Sequence, residues 1–389
     1  MIAHQDDEET PLLQRPTTRT PLPWDQFWVI LFLQLSEPLS SKTLSPFVPQ
    51  LIKDIGVTHG DESQVGHYVG ILESSYYAAH MLTIFHWTQL SDHIGRKPVI
   101  LIALLAISVS MLSFGLSKTF LGLVVSRAVS GAFDGSNTVI KSMVMDITDI
   151  TNMPKAYGYI PIPWMIGKTA GPLIGGSLSR PADRFPDIFG QSELLKFYPY
   201  LLPCSISTIF ASISWLVAYF CLKESVSTKT SLWELIKGGF FRQSYSNSHQ
   251  PSSNVLINPG GAQPKPLPLR ALLTPKVLTI TVNFATMALF HMAFTSVLPV
   301  FYATSIELGG LSLDPPRIGV ILAAQGAAHG IFQLLFYARL HDHFGAKAIH
   351  FTGVSSGIPI VILFPVINAL ARSHGIGLAV CCVLPSSLR

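Results

Sequence analysis

The chain has 389 residues, of which 49% are hydrophobic and 12% are charged, and its mean hydropathy is +0.43. Soluble domains carry about 25% charged residues, so this charge content is too low for a water-soluble surface. The formal net charge of +4 is too modest to indicate a nucleic-acid partner. The composition therefore predicts an integral membrane protein.

The first 24 residues form a polar segment that we expect to be a cytosolic N-terminal tail (residues 1–24). Within it, Glu8 to Leu13 resembles an acidic di-leucine sorting signal. That signal favours a vacuolar or endosomal membrane, and the plasma membrane is the alternative.

Six apolar segments follow, each about 20 residues long, which is the length that spans the hydrocarbon core of a bilayer. They are predicted near residues 26–49, 65–87, 98–117, 120–144, 157–179 and 199–222. Together they define an expected N-terminal six-helix bundle over residues 25–222.

Residues 223–270 are rich in Ser, Asn, Pro and Gly and are expected to form a flexible cytosolic linker. An incomplete C-terminal bundle is then expected over residues 271–389. Its predicted spans lie near 275–303, 317–340 and 349–371, followed by the short apolar run Ile376 to Leu384. The fold class is all-α, with about nine to ten transmembrane helices. If the N-terminus is cytosolic, the Lys and Arg residues on the cytosolic side outnumber those on the opposite side by about two to one.

An internal repeat supports this division. Leu90 to Lys97 follows the second span, and the similar run Leu340 to Lys347 follows the second span after the linker. The equivalent placement of the two runs predicts a duplicated bundle, as in transporters built from repeats.

Thr88 to Lys97 resembles the loop signature of the major facilitator superfamily, although Thr88 replaces a glycine and His93 an arginine of that pattern. The resemblance implies a fold of two six-helix bundles. It also implies that the aspartate meets the N-terminal end of a helix late in the second bundle and holds one conformation closed. The alternative is a simple basic turn. The predicted gating loop comprises Asp92, Gly95, Arg96 and Lys97.

A second signature, Arg127 to Gly131 in the fourth span, resembles the intramembrane arginine of that family, which is implicated in proton coupling. A charge inside a span costs about 2.5–3.5 kcal/mol on insertion scales, so it usually faces a cavity or a partner. Asp134 and Lys141 follow at seven-residue spacing and are expected to form a polar stripe with Arg127. The alternatives are neutralisation of Arg127 by Asp134, and Lys141 as a residue of the cytosolic helix end.

The fifth span resembles the Gly- and Pro-rich signature of antiporters in the same family. Small residues let helices approach closely in lipid, and a proline kinks a helix. Packing against the small residues of the eighth span is expected to make a hinge between the bundles. The predicted hinge residues are Gly167, Gly171, Pro172, Gly175 and Gly176.

Several other polar side chains lie at membrane depth, where an ionisable group marks a functional site by default. Glu73 is expected to bind a cation or to carry a coupled proton, and a helix–helix hydrogen bond is the alternative. His291 and His329 are interpreted as structural. Lys168 departs from the signature of the fifth span, and two interpretations are open: a residue that lines the pore, or a position that this protein tolerates poorly. The candidate solute and proton pathway comprises Glu37, Glu73, Tyr76, Tyr77, His80, Arg127, Asp134 and Lys168.

Thr20 to Trp24, Lys141 to Met143 and Ile306 to Gly310 look like fungal members of the drug–proton antiporter branch, which also contains zinc-induced facilitator-like carriers. The resemblance implies efflux of a drug, an organic cation or a metal-linked small molecule by proton antiport with alternating access. The expected partners are this solute, protons and the lipid bilayer, and the expected state is a monomer. No cofactor, metal site or enzymatic activity is expected, because the sequence contains no catalytic or metal-binding motif.

Members of that family have twelve spans, whereas this sequence accounts for nine and a fragment. We therefore expect a C-terminally truncated chain that arises from a gene model or a splice product. The alternative function is a non-transporting membrane protein or a partner of an intact paralogue.

Overall fold

The computed structural model describes residues 20–149, 151–225 and 274–374. Within these ranges every regular element is helical. The predicted N-terminal tail up to residue 19, most of the predicted linker and the apolar run 376–384 lie outside the described residues.

The first predicted span consists of three helices in series, α1 (Trp24–Gln34), α2 (Ser36–Leu44) and α3 (Val48–Ile55). It is longer than the predicted 26–49. The first interruption has a local cause, because Pro38 lacks an N–H and its ring opposes the carbonyl of the residue four positions earlier.

The second and third spans are α4 (Val65–Ile94) and α5 (Arg96–Leu116). The fourth consists of α6 (Phe120–Phe133) and α7 (Ser136–Ile147), which are separated by Asp134 and Gly135. The prediction of one continuous helix over 120–144 is therefore wrong at this point, where the ψ of Asp134 is 72°, outside the helical region.

The fifth span begins with α8 (Met153–Tyr159) and continues as α9 (Pro161–Leu178). The sixth is α13 (Leu201–Cys221). Between them lie three short helices, α10 (Pro181–Arg184), α11 (Pro186–Phe189) and α12 (Glu193–Phe197).

The second half contains α14 (Pro275–Ala303) and α15 (Pro315–Phe332), which continues into a π-helical segment at Gln333–Tyr337. The half ends, as far as it is described, with α16 (Ala338–Ser355) and α17 (Gly357–His374). Each of the nine predicted spans therefore coincides with one helix or with helices in series.

Five stretches of the described residues are long and apolar enough to cross a membrane by length and composition. They are Arg96–Leu116, Leu201–Cys221, Val277–Ala303, Pro315–Tyr337 and Lys347–Ser373. Side chains on their outer faces, such as Leu105, Val109 and Phe220, are exposed, as expected of helices that meet lipid tails. The predicted all-α membrane fold is confirmed.

The internal repeat also extends to backbone conformation. Gly95 has a φ of 105° and a ψ of 160°, and Gly345 within α16 has a φ of 76° and a ψ of 159°. Residues with a side chain rarely adopt this conformation, so both turns need glycine. The two halves thus turn in the same way after their second span.

The two halves meet mainly where α9 packs along α15, which is the most extensive contact between two helices of the described chain. A Cβ on Gly176 would lie 2.9 Å from the Gly319 Cα, and a Cβ on Gly326 would lie 2.7 Å from the Lys168 carbonyl oxygen. Backbone therefore meets backbone at this interface, as in helix pairs with small residues in lipid.

Candidate functional site

Arg127 lies on α6 with only 4% of its surface exposed. One guanidinium nitrogen lies 3.4 Å from the Glu73 Oε2 on α4, in an ion pair. The guanidinium carbon also lies 4.5 Å from the centre of the Tyr76 ring. A buried charge is therefore held by one carboxylate and by the face of one aromatic ring.

Asp134 lies in the break between α6 and α7 and is 3% exposed. It accepts hydrogen bonds from the Tyr76 hydroxyl and, at 3.2 Å, from the Ser136 hydroxyl. The His80 Nδ1 lies 4.0 Å away, and the His80 ring is parallel to that of Tyr76 at 6.1 Å. The helix break places this carboxylate among neutral donors that α4 and α7 provide.

These positions correct two interpretations of the fourth span. Lys141 is exposed on α7, so it does not continue a polar stripe with the buried Arg127 and Asp134. The seven-residue spacing fails because the intervening backbone is not helical. Arg127 is not neutralised by Asp134 either. Its ion pair is with Glu73, and Asp134 accepts a hydrogen bond from the Tyr76 hydroxyl, whose ring lies over Arg127.

Close packing of α4 against α6 makes this arrangement possible. A Cβ on Gly131 would collide with the Tyr76 carbonyl oxygen, so only glycine allows this separation. The Trp87 indole donates a 2.6 Å hydrogen bond to the Ala132 carbonyl across the same interface. The hydrogen bond and the glycine together set the distance between α4 and α6. This distance allows Glu73 and Tyr76 on α4 to contact Arg127 on α6.

Glu37 on α2 joins the group from the opposite side. Its Oε2 accepts a 2.9 Å hydrogen bond from the Asn137 Nδ2 on α7. Among the described residues, no basic nitrogen lies within 4.0 Å of the Glu37 carboxylate. Glu37 is thus the carboxylate of this group that has an amide partner and no ion pair.

The network retains unused hydrogen-bonding capacity. The Nδ1 of His80 and the Nε of Arg127 are buried without a hydrogen-bond partner in the described part of the protein. Most buried polar atoms in proteins are paired, and those that are not often mark functional positions. These two nitrogens flank Tyr76 and Asp134, where a proton has several possible acceptors.

A cavity of about 360 Å³ lies between the two halves. It is bordered by α2 and α9 of the first half and by α14, α15 and α17 of the second. Lys168 lines it, in line with the first of the two interpretations of this residue, and so do Lys42, His291 and His329. This volume is within the range of small-molecule sites, which is about 300–1,000 Å³.

A second cavity of about 30 Å³ shares part of its lining with this space. Glu73 and Tyr77 line it, and Lys42 and Thr295 line both cavities. The Tyr77 hydroxyl lies 3.4 Å from the Met292 sulfur on α14, across the interface of the halves. The buried network therefore adjoins the large cavity through Lys42 and Glu73.

The predicted hinge glycines lie on two faces of α9. Gly167 and Gly171 approach α2, where their Cβ atoms would lie 2.8 Å from the Pro38 Cβ and 2.9 Å from the Lys42 Cβ. Gly175 approaches the Thr43 carbonyl of the same helix. Of the predicted hinge residues, Pro172 and Gly176 are the two whose contacts with Gly319 on α15 join the second half in the described structure.

The expectation of one packing face is corrected accordingly. Positions 167, 171 and 175 share a face four residues apart, whereas positions 172 and 176 belong to the neighbouring face, rotated by about 100°. The α9 helix is wedged between α2 and α15.

The predicted gating loop is held by a local ion pair. Arg96 binds the Asp92 Oδ1 at 2.6 Å and the Asp146 Oδ2 on α7 at 3.3 Å, and it also donates to the Ser91 hydroxyl at 2.8 Å. In this structure Asp92 pairs with Arg96, and its contact with a late helix of the second half stays a prediction. Lys97 donates a 2.7 Å hydrogen bond to the Tyr219 carbonyl.

Glu224 completes this loop, although no motif in the sequence marks this residue. Its carboxylate accepts hydrogen bonds from the backbone N–H groups of Arg96 at 2.8 Å and Lys97 at 3.1 Å. It therefore caps the N-terminus of α5 from 127 residues away in the chain. A Cβ on Gly95 would strike this carboxylate, which is a second reason for glycine at that turn.

Two other residues of the site were also missed. Lys42 follows Glu37 by five positions in the first span. An ionisable residue inside a span marks a functional site whether it is acidic or basic, so the criterion that identified the carboxylates applies equally to Lys42. Asn137 carries no charge, so no comparable signal marked it. Among the described residues, no group of three or more His, Cys, Asp or Glu side chains is arranged to hold a metal ion.

The described chain is a multi-pass integral membrane protein. Its helices are of bilayer length with apolar outer faces, and it contains a buried ion pair and a cavity between two repeated halves. The family profile described as Major Facilitator Superfamily matches residues 30–386. The chain belongs to this superfamily.

Relatives and solved structures agree. The "Major facilitator-type transporter psiT2" of Psilocybe cyanescens is 30% identical over 353 residues, which cover 86% of this chain and 66% of that protein. "Protein ZINC INDUCED FACILITATOR-LIKE 1" of Arabidopsis thaliana is 27% identical, covering 97% of this chain and 76% of that one. The chain thus spans about two thirds to three quarters of their length, and the predicted resemblance to this branch is confirmed.

The fold is also that of a solved structure, described as the human organic anion transporter MFSD10 (TETRAN). The TM-score is 0.56 at 17% identity, with 95% of this chain and 83% of that chain covered. At this identity the likeness concerns the fold.

Proposed function

We propose that the protein carries a small solute across a membrane by proton antiport with alternating access. The observation that carries this proposal is the position of the buried network, which adjoins the cavity between the halves through Lys42 and Glu73. A solute in the cavity and a proton in the network would then act on the same few side chains.

The charge balance of the network supports a role for a proton. Three carboxylates, those of Glu37, Glu73 and Asp134, lie with two basic groups. Arg127 pairs with Glu73, and Lys42 interacts electrostatically with Glu37 and Glu73. With every group charged, one negative charge is in excess. Buried charges without a partner are costly, and a single proton on Glu37 or Asp134 would balance the set.

The interface of the halves supports alternating access. The contacts of Pro172 and Gly176 with α15 involve backbone rather than long side chains, so the two halves can tilt about this line without unpacking a core. The loop at Asp92, Gly95, Arg96 and Lys97 lies at one end of the first half, where it would hold one of the two states closed.

The topology belongs to the same proposal. We assign residues 25–222 and 271–389 to the two bundles, and residues 1–24 and 223–270 to the cytosolic side. The matching conformations of Gly95 and Gly345 support the two-bundle division.

The test is proton flux in liposomes that hold the purified chain and the pH dye pyranine, with an acidic lumen. Two membrane-impermeant probes are added outside, naphthalenesulfonate and naphthyltrimethylammonium. We expect one of them to raise the lumenal pH faster than in protein-free liposomes, and Glu37→Gln to abolish this effect while keeping the hydrogen bond with Asn137. Glu193→Gln on the exposed helix α12 is the matched control. Lumenal pH that follows the protein-free liposomes for both probes would contradict the proposal.

A further inference from the structure

We propose that the solute is an organic anion with an aromatic body, and that Lys42 and Lys168 bind its anionic group in the cavity between the halves. This inference rests on the proposed transport function and names the class of solute. It departs from the organic cation that the family resemblance left open.

The two lysines come from neighbouring helices that pack closely. Lys42 lies on α2 opposite Gly171 of α9, at the 2.9 Å approach described above, and Lys168 lies almost one turn before Gly171. Both lysines line the same cavity, and both side chains are half-buried. They therefore make a paired positive site on the first-half wall.

Neither ammonium is held by a short-range contact among the described residues. Within the described ranges, neither Lys42 nor Lys168 makes a hydrogen bond, or an ion pair within 4.0 Å. A half-buried ammonium without a hydrogen-bonding partner is unfavourable, and two that repel one another are more so. An anionic group between them would satisfy both charges.

The opposite wall offers no negative charge among the described residues. His291 of α14 and His329 of α15 line the cavity, and no carboxylate does so among the described residues. The neutral polar groups there bind each other, since the Gln325 amide donates a 2.9 Å hydrogen bond to the Tyr302 hydroxyl. A cationic solute would find repulsion and no counter-charge in this cavity.

The remaining wall is aromatic. Phe290, Phe294 and Phe364 line the cavity, and the rings of Phe294 and Phe364 meet edge to face at 6.0 Å. Such rings bind a flat apolar body, while the few charged groups set its orientation. A compact aromatic sulfonate or carboxylate combines both features.

Lys42 also offers a direct route for coupling. It lines both cavities, and it interacts electrostatically with Glu37, Glu73 and Arg127 on one side and Lys168 on the other. An anion in the cavity and the Glu73 carboxylate would compete for the same ammonium. Occupation by solute would thus change the charge balance of the network.

The experiment measures binding of three probes that share one ring system, with the full chain in lipid nanodiscs and equilibrium dialysis as the method. The probes are naphthalenesulfonate, naphthyltrimethylammonium and the neutral naphthalenemethanol. We expect the sulfonate to bind at least about ten-fold more tightly than the cation, which corresponds to one charge-assisted hydrogen bond. Lys168→Gln and Lys42→Gln should each remove most of this preference and leave the neutral probe unchanged.

Lys196→Gln, on an exposed turn of α12, is the matched control and should keep the preference. Lys168→Arg and Lys42→Arg keep the positive charge and should therefore keep the preference for the sulfonate. These two variants distinguish an effect of the lost charge from an effect of misfolding. Three outcomes would each overturn the inference. They are equal or tighter binding of the cation, an unchanged preference in both Gln variants, and no sulfonate binding in the wild type.

The two proposals fail separately. Proton flux driven by the cation, without lysine dependence, would leave transport standing and refute the anion site. Lysine-dependent sulfonate binding without proton flux would support the anion site and refute coupled transport.

Discussion

Arg127 and Glu73 form an ion pair across α4 and α6, with 3.4 Å between a guanidinium nitrogen and the Glu73 Oε2. This pairing leaves Asp134, the nearer acid in sequence, to the Tyr76 hydroxyl. In this network Glu73 therefore balances the charge of the buried arginine, whereas Asp134 and Glu37 accept hydrogen bonds from neutral donors.

The first prediction concerns this ion pair. Glu73→Gln should lower the free energy of unfolding by about 2–3 kcal/mol, because Arg127 stays buried without its counter-charge. Removing one partner of a fully buried ion pair costs about 3–5 kcal/mol of unfolding free energy. We expect a smaller loss here because a quarter of the Glu73 side chain is exposed. Reversible unfolding in mixed micelles measures the change. In a double-mutant cycle with Arg127→Gln the two effects should be non-additive, and simple additivity would refute the pairing.

The second prediction separates two adjacent tyrosines. Tyr76→Phe removes the donor to the buried Asp134 and should cost about 1–3 kcal/mol of unfolding free energy, while the ring stays over Arg127. It should also slow the proton flux that the pyranine assay reports. Tyr77→Phe is the control, because the hydrogen bond of the Tyr77 hydroxyl within the described ranges is a weak one to the Met292 sulfur. Equal effects of the two changes would be evidence against the role given to Asp134.

The third prediction tests the interface of the halves. Gly176→Ala places a Cβ 2.9 Å from the Gly319 Cα, so α9 and α15 must separate, and unfolding free energy should fall by about 1–3 kcal/mol. Gly70→Ala on α4 is the control, since no atom lies within 4 Å of its Cβ. That change should be neutral or stabilising by about 0.5–1 kcal/mol. A stable Gly176→Ala variant with unchanged flux would show that close backbone approach is not needed.

The fourth prediction concerns the start of the first helix. Asp149 accepts hydrogen bonds from the Thr20 hydroxyl and from the Thr151 N–H and hydroxyl, and these lower its pKa from 3.8 to about 2. Asn152 also donates to the Thr20 hydroxyl at 3.1 Å. The cluster ties the segment before Trp24 to the loop between α7 and α8.

A depressed folded-state pKa contributes stability above the unfolded value, and this contribution is lost as the pH falls from about 4 to about 2. Acidification through this window should therefore release the segment and shift the fluorescence of Trp24, which Lys155 and Tyr159 contact. Asp149→Asn should show the shifted signal at neutral pH and no further change in acid. Asp187→Asn, at an exposed site on α11, should behave like the wild type.

Part of the site was predictable because its signals are local. An intramembrane charge is visible without any partner, so Glu37, Glu73, Arg127, Asp134 and Lys168 were all identified from the sequence. Their partners were not, because Arg127 finds Glu73 across two helices and Asp134 lies at a break that the seven-residue spacing ignored. Lys42 was overlooked although the same rule applies to it.

The sequence by itself determined the class of this protein. The lengths of the apolar segments set the number of spans, and the glycines at positions 95 and 345 specified the same turn in both halves, since hydropathy and backbone conformation depend on a few neighbouring residues. Only the tertiary structure decided which side chains meet. It paired Arg127 with Glu73, brought Lys42 beside Lys168 and placed Glu224 on the end of α5, because these contacts depend on the rotation and spacing of helices far apart in the chain.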